Sequence, residues 1–289
     1  MILFKNSSDL HNYIDSQRKN GTKIGFVPTM GALHQGHISL INYSKAENDL
    51  TICSIFVNPT QFNDPVDFKK YPKTIEKDIL LQEKAGCDIL FMPDLKEVYP
   101  DGVKPIEHYE LGFLETVFEG KFRKGHFQGV CMVVHRLLDI VKPDKLYLGQ
   151  KDYQQCMVIN KLVELIGMAN EISVVICPTL REKDGLAMSS RNSRLNEAER
   201  EKACSIFHSM NFIKENITSE NILEIKETAN KMLTEKGFQV DYIDVVDAIN
   251  LTQVNKLQEK QQLVILVAAF LNEIRLIDNM LIKSSTLIN

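Results

Sequence analysis

The sequence has no tryptophan, and its 289 residues carry a net charge of −4. Neither the electrostatic footprint nor the aromatic-rich face of a nucleic-acid-binding module is therefore expected. No apolar run reaches the ~20 residues needed to span a bilayer, and MILFKNSSDL lacks the charged leader and long apolar core of an export signal. A cytoplasmic protein is the expectation. The six cysteines (53, 87, 131, 156, 177 and 204) have no CxxC spacing, and several sit inside apolar runs such as TICSIFV. Reduced core thiols follow, not zinc ligands or disulfides. Also missing are the GxGxxG fingerprint and the GxxxxGK[ST] loop, so a nucleotide site here must be of another type. No low-complexity tract or solenoid repeat is present. The length exceeds that of one usual domain, and one large domain with one smaller is the default.

What is present centres on GFVPTMGALHQGH, residues 25–37. An apolar run from Ile24 to Val27 ends in Pro28; Gly31 follows, and His34 and His37 bracket Gly36 where an amphipathic segment opens. The pattern reads as strand, tight turn and helix start, which aims free backbone N–H groups and a positive dipole end at a phosphate. Two imidazoles three residues apart share one face there. They can hydrogen-bond a phosphoryl oxygen in either protonation state, more strongly when charged.

Along the chain, residues 8–20 read as a helix opened by a capping serine, and 51–58 as a strand buried on both faces of a parallel sheet. NPTQF then stands at that strand's carboxyl end, where open α/β sheets place ligands. Asn58 and Gln61 either hold a small substrate through their amides or belong to a surface proline turn. A loop over DFKKYPKT, a helix to Gly86 and a strand over 88–93 follow. The basic knot of Lys121, Arg123, Lys124 and His126 is either a solvated loop or a clamp for an anion. From Val130 to Val141 the spacing is helical, which makes Met132 and His135 packing residues.

GQKD, residues 149–152, repeats the strand-to-helix logic, with Lys151 as a point charge for phosphate and Asp152 as a capping or metal-shell carboxylate. Ser189, Ser190 and Arg191 combine hydroxyls and a guanidinium, which suits phosphate, and also precede a helix near 196. From there two helices (about 196–215 and 219–236) precede three alternating strands, a separate small α+β domain. Arg275 and Asp278 in the last strand read as packing or interface residues. The overall expectation is α/β: a Rossmann-like parallel-sheet domain over 1–182 and a smaller α+β domain over 183–289.

Three phosphate-friendly turns, HQGH, GQKD and MSSR, would converge on one ligand. An early HxGH with a late serine-rich loop resembles the nucleotidyl-transferring superfamily marked by HIGH and KMSKS. PTMGALHQGH, FVNPTQF, YPKT, GHFQGV, GQKDYQQ, KDGLAMSSRN and AAFLNEIRLIDN, running from residue 28 to 279, narrow this further. In that order they resemble the pantothenate synthetase (pantoate:beta-alanine ligase) family. The resemblance implies condensation of pantoate with β-alanine through a pantoyl adenylate, using ATP and magnesium, in a homodimer whose small domain is a lid.

By motif it places Met30, Gly31, Ala32, Leu33, His34, Gln35, Gly36 and His37 beside ATP, with His37 in the family's proton-donor role. Gly149, Gln150, Lys151 and Asp152 would hold the nucleotide, Leu180 its adenine side, and Met188, Ser189, Ser190 and Arg191 the triphosphate. Gln61 and Gln155 match the pantoate glutamines, with Gln61 also bordering β-alanine. Gln35 and Lys73 depart from the family's usual residues at peripheral positions. Asp78, flanked by Lys77, is the one plausible protein ligand for magnesium; otherwise the metal is held by the ATP phosphates. The competing expectation is another nucleotidyltransferase of the superfamily acting on a small metabolite.

Overall fold

The computed structural model describes residues 1–63, 65–103, 108–218, 220–258 and 260–282. The chain divides into two compact units, Met1–Pro178 and Thr179–Asn289.

The first unit runs β1 (Ile2–Phe4), α1 (Ser7–Arg18), β2 (Ile24–Thr29), α2 (Gln35–Glu47), β3 (Leu50–Ile55), α3 (Pro65–Lys70), α4 (Ile75–Lys84) and β4 (Ile89–Phe91). It continues through α5 (Leu95–Val98), α6 (Phe118–Phe122), α7 (His126–Val141), β5 (Lys145–Gly149), α8 (Tyr153–Leu165) and β6 (Ser173–Cys177). All six strands are parallel, in the order β1-β4-β3-β2-β5-β6. Helices cover both faces: Phe26, Ile52, Ile89, Leu138 and Leu146 meet in one core, and Val27, Ile41, Cys53 and Tyr147 in the other. That double covering explains why every residue of β3 is buried.

Between β2 and β5 the strand order reverses direction, the switch point where such sheets open a crevice at their carboxyl ends. Gly25 pairs with Lys145 and Phe26 with Leu146, so the turns after these two strands are neighbours. HQGH and GQKD are thereby brought side by side.

In the second unit, α9 (Glu197–Ala203), α10 (Ser205–Asn216) and α11 (Ile222–Thr234) precede β7 (Phe238–Asp247), β8 (Leu263–Leu271) and β9 (Ile274–Ile282). The strands form an antiparallel sheet in sequence order. Met210, Ile213 and Leu233 from the helices share a core with Ile265 and Val267 of β8. A parallel α/β unit and a smaller α+β unit are as the sequence implies.

Local differences have local reasons. Helix α1 is preceded by Asn6 without a side-chain cap bond, and Ser7 instead gives its N–H and hydroxyl to Glu97, each at 2.7 Å. The segment expected as a loop before Tyr71 contains α3, opened by Pro65 at a position where a missing N–H costs nothing. The long helix expected from 196 is two helices that meet at Cys204. Arg275 pairs with Asp241 at 2.7 Å and Asp278 with Arg181 at 2.6 Å, so both residues serve packing within the second unit.

Candidate active site

The turn after β2 is built against a conformational cost. Gly31 and Ala32 both lie in the left-handed region, at φ +78° and +50°, which strains an alanine. Asp78 of α4 holds them there: its carboxylate accepts the N–H groups of Ala32 (2.9 Å) and Leu33 (2.8 Å) and the Thr74 hydroxyl (3.0 Å). A Cβ on Gly31 would meet Asp78 Oδ2 at 3.1 Å, so glycine is also needed for this close approach.

These bonds give Asp78, the one plausible magnesium ligand in the sequence, a structural duty in the turn. The residue is 1% exposed and its oxygens are spent on the turn. Among the described residues no three potential ligands stand together to hold a metal ion. The described residues offer no protein cage for the metal.

His34 and His37 follow as cap and third residue of α2. The Gly36 N–H donates to His34 Nδ1 at 3.1 Å, and the His34 N–H donates to His37 Nδ1 at 3.3 Å, a capping box made by two imidazoles. An Nδ1 that accepts carries no proton, so each neutral ring bears its hydrogen on Nε2. Neither Nε2 has a partner among the described residues, which leaves two donors on rings 4.0 Å apart. Burial, then the nearby Lys151 charge, lowers His34 to about 4. His37 lies well below its ordinary value through burial, His34 and Lys151. Both shifts favour the neutral ring, one of the two protonation states that the sequence left open.

Gln150–Asp152 form one tight turn, and α8 starts at Tyr153. Asp152 occupies the cap position but makes no side-chain cap bond; it lies 3.9 Å from Lys151 Nζ. Gly149 has an ordinary φ of −82°, and nothing lies within 4 Å of where its Cβ would be. Neither turn geometry nor protein packing demands glycine there.

The amides separate into two kinds. Asn58 is buried beneath its turn: its oxygen accepts from Thr60 Oγ1 (3.0 Å) and the Tyr99 hydroxyl (2.9 Å), and its amide donates to the Gly129 carbonyl (3.1 Å) and to Gln61 Oε1 (3.4 Å). That inventory makes it a support, correcting its place among the substrate-facing candidates. Gln61 is half-buried, with its amide nitrogen 2.8 Å from Met30 Sδ. Gln154 is spent on the Glu119 N–H and the carbonyls of Leu114 and Val117. Its neighbour Gln155, half-buried, has no side-chain partner among the described residues.

The basic knot is neither wholly a loop nor wholly solvated. Lys121 lies in α6, and His126 opens α7 at 4% exposure. His135 bonds the Tyr109 hydroxyl at 2.9 Å, a packing role as expected.

Within the second unit, Leu180 and Met188 close a hairpin through the Met188 N–H and Leu180 carbonyl (3.0 Å). Arg181 anchors that hairpin with two bonds to Asp278, at 2.6 and 2.9 Å, while stacking on Phe207. Ser189 then accepts the Arg191 N–H at 3.3 Å and starts the turn Ser190–Arg194.

A sequence model described as pantoate-beta-alanine ligase matches residues 2–281. The chain belongs to the pantoate-beta-alanine ligase family. It is 41% identical over 285 residues to a pantothenate synthetase of Cytophaga hutchinsonii, covering 98% of this chain and 99% of that one. The pantothenate synthetase structure of Thermus thermophilus superposes with a TM-score of 0.85 at 35% identity, covering 97% of this chain and 99% of the other. A pantoate-beta-alanine ligase of Francisella tularensis, solved with "Beta-gamma ATP and Beta-alanine", gives 0.80 at 41% identity, over 97% of each chain.

For a pantoate-beta-alanine ligase, the residues that sequence reasoning passed over are those under the site. Asp78 as a turn brace, Gln154 as a clamp and Gly129 as a point of contact all depend on partners distant in the chain. Gly129, just before the helical spacing that opens at Val130, lies within α7 in the structure. A Cβ there would stand 2.3 Å from the Thr60 carbonyl.

Proposed function

We propose that the chain condenses (R)-pantoate with β-alanine, consuming ATP, through a pantoyl adenylate. A pantoate carboxylate oxygen attacks the α-phosphorus and pyrophosphate leaves. The β-alanine amine then attacks the acyl carbon, AMP leaves with the bonding pair, and an amide remains. The observation that carries this reading is the pair of Nε2–H donors on His34 and His37, without a partner among the described residues, beside Lys151.

Neutral imidazoles donating to a phosphoryl oxygen stabilise the charge that builds there without giving up a proton. This is our reading of His37 in place of proton donation. Lys151 neutralises phosphate. Met30 to His37 and Gly149 to Asp152 border the nucleotide, the open space at Gly149 admitting it closely. Leu180 is assigned to the adenine side and Met188, Ser189, Ser190 and Arg191 to the triphosphate. Gln61 and Gln155 receive pantoate, with Asn58 fixing the turn under Gln61. Residues 183–289 act as the lid that keeps water from the acyl adenylate.

ATP enters as its magnesium complex, the metal held by the phosphates. We place the enzyme in the cytoplasm as a homodimer. No helix among the described residues is long and apolar enough to cross a membrane.

The test is pyrophosphate release from MgATP with pantoate alone, then with β-alanine added. Release with pantoate, followed by AMP and pantothenate in equal amounts, supports the two-step ligase. No release with pantoate, but release with other small acceptors, overturns the substrate assignment.

A further inference from the structure

We infer that His126 is a positioning residue for Gln61, and that the basic segment around it is a brace for the pantoate-binding turn and not a clamp on an anion. The inference rests on the assignment of Gln61 to pantoate.

Both ring nitrogens of His126 are spoken for. Nδ1 lies 2.8 Å from the Gln61 carbonyl, which can only accept, so Nδ1 carries the hydrogen. Nε2 lies 3.0 Å from Arg123 Nη1, which can only donate, so Nε2 accepts. These two bonds fix one neutral tautomer in a ring that is 4% exposed. Nothing on the ring is left for substrate: its one N–H goes to the backbone of the residue that presents the amide, and its acceptor nitrogen to Arg123.

Other bonds converge on the same turn. Asn58 donates to the Gly129 carbonyl at 3.1 Å, the Thr60 hydroxyl that donates to Asn58 lies 3.3 Å from the same carbonyl, and Asn63 donates to the Lys124 carbonyl. The absence of a side chain at Gly129 lets α7 rest directly on Thr60. Behind His126, Arg123 faces Glu119 at 3.6 Å, and the Glu119 N–H donates to Gln154 Oε1 at 3.0 Å. A continuous polar path therefore joins the turn bearing Gln61 to the helix position next to Gln155. Two amides on different elements are held on one frame, and a displacement of ~1 Å at either is enough to cost binding geometry.

Four purified variants test this: His126→Ala, His126→Asn, Gln61→Ala and the double variant Gln61→Ala/His126→Ala, each assayed for KM of pantoate and of ATP. His126→Ala is expected to raise the pantoate KM about tenfold, as for one lost positioning hydrogen bond, with the ATP KM unchanged. Asparagine can place a donor where Nδ1 stood, so His126→Asn is expected to recover most of that loss. On the Gln61→Ala background His126→Ala should change the pantoate KM no further, because the two act as one unit.

Equal effects on both substrates, or effects of Gln61→Ala and His126→Ala that multiply, overturn the inference. A Gln61→Ala enzyme with an unchanged pantoate KM removes the substrate assignment itself, an outcome distinct from a silent His126→Ala beside a defective Gln61→Ala. Should His126→Ala fail to fold, Arg123→Gln on both backgrounds gives the same reading. An Arg123→Gln defect that persists without the Gln61 side chain means the guanidinium meets substrate directly, and the brace is wrong.

Discussion

His34 and His37 accept from backbone N–H groups through Nδ1 and keep a hydrogen on Nε2; His126 donates from Nδ1 to a carbonyl and accepts at Nε2 from an arginine. All three are less basic than a free histidine, chiefly through burial. The difference lies in the backbone group each ring meets. At a helix start the unpaired groups are N–H donors, so the imidazole turns its acceptor inward and an N–H remains for a ligand. Against a turn carbonyl it must donate inward, and Arg123 occupies the other nitrogen. A lowered pKa thus does not separate the three rings, and the inventory of partners shows which of them keep a donor for a ligand.

The sharpest way to break this contrast is His37→Ala. Loss of one of the two available donors should slow pantoate-dependent pyrophosphate release by about 10²–10³-fold while circular dichroism stays native. A fully active variant would erase the distinction between spent and available donors. Next in size is Asp78→Ala, which leaves the Ala32 and Leu33 N–H groups unsatisfied and should cost about 2–4 kcal/mol in urea unfolding. The milder Asp78→Asn tests the metal question: the magnesium concentration for half-maximal rate should not move, whereas a shift of ~tenfold or more would make Asp78 a ligand after all.

The glutamine neighbours extend the comparison to amides. Gln154→Ala, which strips three partners, should lower stability by about 2 kcal/mol. Gln155→Ala should leave stability within about 0.5 kcal/mol and raise the pantoate KM. Equal stability losses would mean that both are structural.

A further effect is on pH. His34 and His126 are lowered from 6.5 to about 4 in the folded chain. Between those values the unfolded state binds more protons, so stability rises with pH across the window and falls as pH drops from about 6.5 toward 4. Thermal midpoints of the parent and His126→Asn should converge at low pH, and parallel curves would remove His126 from the linkage.

Much of this was legible in the sequence, and the unread part shares one physical character. Strand β3 announces itself by a nearly continuous apolar and β-branched run, and the turn before α2 by glycine and two histidines. Strand β1 has only three residues, two of them exposed, too short for any period to show. The positions of Gln61, Lys151 and Gln155 follow from strand-end logic. The duties of Asn58, Asp78, Gln154 and His126 do not: each is set by partners 35 or more residues away. Even the tautomer of His34 and His37 had to wait for the cap geometry.

The scattered cysteines end as something more useful than filler. All six are free and buried, and burial raises every one of their thiols above its ordinary value, Cys87 and Cys131 to about 12 and Cys177 to about 11. Five belong to the first unit and Cys204 to the second. A thiol-reactive dye therefore has nothing to attack in the native chain, and each label taken up under mild denaturant reports an opening. One label before the other five would time the second unit's unfolding against the first's without any engineered probe.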